Sequence, residues 1–139
     1  ARYPLLVPAV DSDGNELGGW RGTTAAVPLG TSTAWNWTSP HKKRFGFISG
    51  LNGAFFPFAR TRAERLAAND PRPSIEERYG NREGFMKAVA VAVDNAIAQR
   101  FLLAAQRENV LEGMGHYWDG VAKFDWHPVR TVADSAPKQ

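Results

Sequence analysis

The chain has 139 residues, 43% of them hydrophobic and 22% charged, with a net charge of +3, which is the size and make-up of one globular domain with a modest core. It contains no cysteine, which excludes disulfides, thiolate metal centres and a cysteine nucleophile. The charges are interleaved as Arg–Glu mixtures, and no run of eighteen apolar residues occurs, so neither a nucleic-acid tract nor a membrane span is expected.

Tyr3 to Val10 is apolar with two prolines and predicts a short edge strand, because proline cannot donate to a central ladder. Asp11-Ser12-Asp13-Gly14-Asn15 predicts a turn, and Glu16 to Arg21 a returning strand, with Gly18 and Gly19 marking a bulge or bend. Ala25 to Leu29 is expected as a third extended piece. Gly30 to Asn52 is expected to be irregular, and it holds Trp35, Trp37, Phe45 and Phe47. Ala54 to Phe58 closes this aromatic half. Ala1 in place of Met predicts a chain processed or cut from a longer one.

The second half is helical. Thr61-Arg62-Ala63-Glu64 and Ser74-Ile75-Glu76-Glu77 both have the form of a capping box, in which a hydroxyl and a carboxylate three residues on satisfy each other's backbone N–H groups. They predict short helices ending near Ala68 and Gly80. Asn69-Asp70-Pro71-Arg72-Pro73 separates them. The longest helix is expected from Asn81 or Arg82 to about Arg100. Phe85, Val89, Ala92, Val93, Ala96 and Ile97 form its apolar stripe. A further helix is expected over Leu102 to Gly113, with Trp118 and Trp126 in a loop-rich end. The fold class is therefore α+β: residues 1–60 a hairpin and aromatic-rich loops, residues 61–120 helices, and residues 121–139 a tail.

Few residues point to chemistry. Asp11, Asp13 and Asn15 open like a calcium loop, but Glu16 stands where the loop needs Gly and Gly22 where it needs Glu, so a plain turn is expected. Gly46-Phe47-Ile48-Ser49-Gly50 has its serine one place late for a nucleophile elbow and no helix after it. His116 with Asp119, and Asp125 with His127, carry metal-ligand side chains at a spacing that matches no metal motif, and Asp119-Gly120 reads as a turn; no metal or cofactor is expected. Glu76 and Glu77 are accounted for by the helix dipole. His41, Lys42, Lys43 and Arg44 read as a solvated loop. Trp35, Trp37, Phe55, Phe56 and Phe58 crowd into a Gly/Pro-rich stretch, which fits a core or interface cluster better than a ligand pocket, though pockets are lined this way too.

Three blocks of the chain are familiar together. They are Leu6 to Glu16; Ala26-Val27-Pro28-Leu29-Gly30-Thr31 with Trp35-Asn36; and Phe56 to Arg65 continued by Asp70 to Gly80. In order and spacing they resemble the C-terminal region of bacterial alpha/beta hydrolase domain-containing proteins, over about Tyr3 to Trp118. Trp20 stands where that family leads one to expect a smaller aliphatic residue, and Ala34 where it has glycine. The stretch Thr38 to Phe47 is unfamiliar, and Val121 to Gln139 lies outside the resemblance. The resemblance implies that the nucleophilic serine and its histidine lie upstream, in an α/β sheet, so no catalytic residue carries over. It implies a C-terminal subunit or fragment of a serine hydrolase acting on a small-molecule ester (less readily an amide), packed on a catalytic chain that bears the serine. Trp35, Trp37, Phe55 and Phe56 are then the candidates for one wall of the substrate pocket. The alternative from the residues alone is a non-enzymatic binding or assembly subunit. His116 and His127 are the residues a metal would use.

Overall fold

A computed structural model describes residues 8–37, 48–49 and 53–123, and for 36–37 and 48–49 the backbone alone. The Asp11–Asn15 turn forms as expected. The Asp11 carboxylate accepts from the Asp13 and Asn15 N–H groups at 2.9 Å each, and Gly14 N donates to Asp11 O at 3.0 Å. The hairpin it closes is a single antiparallel bridge, Val10 to Glu16. Glu16 to Arg21 does not return as a strand. Ala25 and Ala26, expected to begin an extended piece, instead end a one-turn helix, α1 (Thr23–Ala26). A side chain from just before the turn supports it. Arg21 donates to Ala25 O at 2.8 Å and so satisfies a carbonyl that a lone turn of helix would leave unpaired.

Residues 30–57 are a second correction. β1 (Gly30–Thr33) pairs antiparallel with β4 (Ala54–Pro57), and β2 (Asn36–Trp37) with β3 (Ile48–Ser49). These two short two-stranded sheets make up the ribbon. Gly53 directly precedes β4, where a Cβ would lie 2.3 Å from Thr33 O. The outer edge of β1 is closed by one side chain. The Asn15 amide donates to Gly30 O at 3.2 Å and accepts from Ser32 N at 2.8 Å, standing in for a third strand.

Both capping boxes form. Thr61 caps α2 (Arg62–Ala67) and Ser74 caps α3 (Ile75–Tyr79), each with the reciprocal glutamate bond. Glu77 accepts from Ser74 N at 2.9 Å, Ser74 Oγ at 2.8 Å and Arg65 Nε at 2.8 Å. Those donors, the Ser74 backbone first, hold its carboxyl down from 4.5 to about 2. A carboxyl made more acidic by folding stabilises the fold above its ordinary titration range and loses that effect as pH falls through its folded value. The expected result is that the gap in unfolding midpoint between the wild-type protein and Glu77→Gln is widest near about pH 6 and closes between about pH 4.5 and about pH 2. A gap constant with pH in chemical denaturation would assign the cap to hydrogen-bond geometry and not to charge.

α4 (Arg82–Ala98) starts at an Asn81 cap and buries Phe85, Val89, Val93 and Ala96, the expected stripe. A short 3-10 turn (Ala104–Gln106) leads into α5 (Arg107–Ala122). α5 runs well past Gly113, so Trp118 and Asp119-Gly120 are helical and not in a loop or turn. Glycine costs about 1 kcal/mol in a helix interior, so Gly113, Gly115 and Gly120 each weaken this helix locally. Packing offsets this. Met114, Tyr117, Trp118 and Val121 recur on one face against α4, and Arg82 pairs with Asp119 at 3.0 Å across the two helices. Gly115 is buried at that crossing, where a Cβ would lie 2.9 Å from the Arg82 guanidinium. The core joins Leu29 and Phe58 of the first half to Ile75, Phe85, Val89, Val93, Met114 and Val121 of the second.

Candidate functional site

The two halves meet at a polar junction. Arg78 pairs with Asp13 and Arg72 with Asp70, all four side chains largely buried. Phe58 lies between the two guanidinium groups, its ring centroid 4.2 Å from that of Arg78 and 5.1 Å from that of Arg72. Arg72 also donates to Thr31 Oγ1 at 2.8 Å and Phe56 O at 3.1 Å. Hydrogen bonds from Arg72 hold the Asp70 carboxyl below its usual range. Arg78 thus occupies the place that a cation would take beside the Asp11–Asn15 turn, and Arg21 neutralises Asp11 at 2.8 Å. The oxygens of the D-x-D-x-N string are spent on backbone, arginine and β1. The junction fastens segments together and leaves nothing free for catalysis.

The aromatics chosen from the sequence lie on and beside the two antiparallel pairings. Phe55 and Phe56 are neighbours on β4 and face opposite sides. Phe55 packs edge-on against Tyr117 of α5, with centroids 6.0 Å apart. Trp35, just beyond β1, and Phe56 are both exposed. The Trp37 side chain lies outside the described residues, as do His41 to Arg44 and the side chain of Ser49. His116 is exposed on α5, in a shallow groove with Glu108, Glu112 and Asp119, and its suggested companion His127 lies outside the described residues. Among the described residues no three His, Asp or Glu side chains are placed to hold a metal ion. Ser74 is fully buried and bonded to Glu77, and no serine lines the groove that His116 lines.

A groove elsewhere has a different lining. It has a volume of about 860 Å³ and lies between the Gly19–Val27 segment and the outer face of α4. Trp20 and Phe101 stack at one end, with centroids 5.2 Å apart and planes at 23°. Ala88, Val91, Ala92, Asn95 and Gln99 of α4 form the other wall, and Arg21 is the sole ionisable residue lining it. Tertiary placement brings Trp20 and Phe101 together across 80 residues, so the sequence marks Trp20 only as a departure from the family and gives no sign of Phe101. One signal was present: Ala88, Val91, Ala92, Asn95 and Gln99 recur every three or four residues, a second uncharged stripe beside the core stripe. Its lining holds no paired nucleophile and base.

These features define a two-part α+β unit with an exposed groove. The family model described as "Alpha/beta hydrolase domain" matches residues 4–112, so the chain belongs to that family. Membership carries a hydrolase-like function with it. No curated protein matches the chain, and no solved structure does. Both described strand pairings are antiparallel. The strand-to-helix elbow that presents a nucleophilic serine belongs to the parallel sheet of that architecture, and among the described residues no parallel pair occurs.

Proposed function

We propose that the chain is the C-terminal subunit or segment of a serine hydrolase that cleaves esters and, less readily, amides. A companion catalytic part of the α/β-hydrolase kind carries the nucleophilic serine, its histidine and the acid, and performs the acyl transfer. This chain covers that part, and its ribbon aromatics Trp35, Trp37, Phe55 and Phe56 contribute to the wall that receives a small ester substrate. The observation that carries the reading is the family match over residues 4–112 on a chain whose described serines and single described histidine form no catalytic pair. The exposure of Trp35, Phe55 and Phe56 supports an aromatic face meant to be covered.

A fluorophosphonate probe on the full assembled protein tests it. The label is expected on a serine outside residues 1–139, in step with loss of esterase activity. Label on any serine of this chain, or hydrolysis that persists after complete labelling, would replace this reading with another.

A further inference from the structure

The geometry points to the Trp20–Phe101 groove as the seat of an acidic amphipathic helix from the companion part of the assembled protein. The groove wall runs along α4 from Ala88 to Gln99, which is about 16 Å, or three helical turns. The side chains along it are small or short, which lets a second helix approach closely and seat its apolar ridge. A peptide added as a β-strand would need an open sheet edge to pair with. Here the walls are a helix face and a segment ending in the α1 turn. A small molecule would need enclosure, whereas Val91 in the middle of the wall is 62% exposed. Trp20 and Phe101, which line the groove, are both exposed as well.

Charge selects an acidic partner. The one ionisable side chain of the lining, Arg21, is already paired with Asp11 at 2.8 Å, and no carboxylate lines the groove. Next to it, between Gln99 and Phe101, Arg100 sits at φ +67. That left-handed position after a helix normally falls to glycine, and an L side chain there is strained. Arg100 is also the one described arginine with no carboxylate partner; the other eight are each paired. A strained, unpaired cation beside an exposed apolar groove is complementary to a helix with an apolar face and an acid at its end.

The chain has no native cysteine, so Val91→Cys and Leu66→Cys each introduce a single thiol at similar exposure, 62% and 58%. In the full assembled protein the Val91 thiol is expected to alkylate at least about tenfold more slowly than the Leu66 thiol, because it reacts only when the helix leaves. Adding Arg100→Glu should raise the Val91 rate. A photo-crosslinking benzoylphenylalanine at position 91 should capture a companion peptide with apolar residues at i, i+3 and i+4 and an Asp or Glu within one turn. Equal rates at the two thiols, no response to Arg100→Glu, capture of a second copy of this chain, or protection with no peptide captured would each overturn the proposal. The fluorophosphonate result is independent of all four, so failure here leaves the hydrolase reading to be judged separately.

Discussion

Replacing Phe85 by alanine is expected to cost about 3–5 kcal/mol of folding stability, the largest loss among single core truncations. Phe85 is fully buried at the centre of the helical half. Its ring meets Tyr79 edge-on at 5.3 Å and Trp118 at 5.0 Å. These contacts tie α4 to α3 and to α5, so the cavity left by alanine opens at a three-way joint that has no neighbour free to collapse into it. Tyr79 in turn donates its hydroxyl to Pro28 O at 2.8 Å, and burial pushes that hydroxyl up to about 12, so it stays a donor throughout the ordinary pH range. A domain of this size has about 5–15 kcal/mol in hand, and the loss consumes a large share. Urea unfolding followed by Trp fluorescence measures it. Leu66→Ala, at an exposed position of α2, is the control and should change stability by less than about 0.5 kcal/mol. A Phe85→Ala loss as small as the control's would mean that α3, α4 and α5 do not share this joint.

Arg78→Met is the second. The methionine stem keeps most of the packing on Phe58 while removing the guanidinium. Asp13 then remains buried without its cation, and breaking a buried pair from one side costs about 3–5 kcal/mol. The expected sign of the second-site change follows from the same reasoning. Asp13→Asn added to Arg78→Met should recover stability, because the uncompensated charge is gone, although Asp13→Asn alone is destabilising. A double-mutant cycle in urea reads this coupling. Additive losses would show that the pair is screened by water and that the junction holds through Phe58 and Thr31 instead. The cost falls on the attachment of the Asp11–Asn15 turn to the helical half, since Asp13 and Arg78 are 65 positions apart, so amide exchange should quicken first in residues 11–16.

Local chemistry made much of the second half legible. The Thr61 and Ser74 capping boxes, the Asn81 start and the Phe85–Ala96 stripe each depend on residues within a few positions of one another, and each is found as read. The same holds for the Asp11–Asn15 turn, whose bonds are internal to five residues. The ribbon was not legible, because β1 finds β4 more than twenty residues away and its outer edge is completed by the side chain of Asn15. α5 runs past its expected end at Gly113 for a related reason: its glycines carry a local penalty that only contact with α4 outweighs. The resemblance of the three sequence blocks was enough to give the family.

The sequence by itself determined the helix starts, the core stripe, the absence of thiol chemistry and the family to which the chain belongs, because these rest on residue types and short spacings. Only the tertiary structure decided where the aromatics go. It divided Phe55 from Phe56 across a strand, pinned Phe58 between two arginines, and stacked Trp20 on Phe101 beside α4. The physical reason is that a side chain's surroundings are set by which distant segments pack against it, and backbone periodicity carries no record of that.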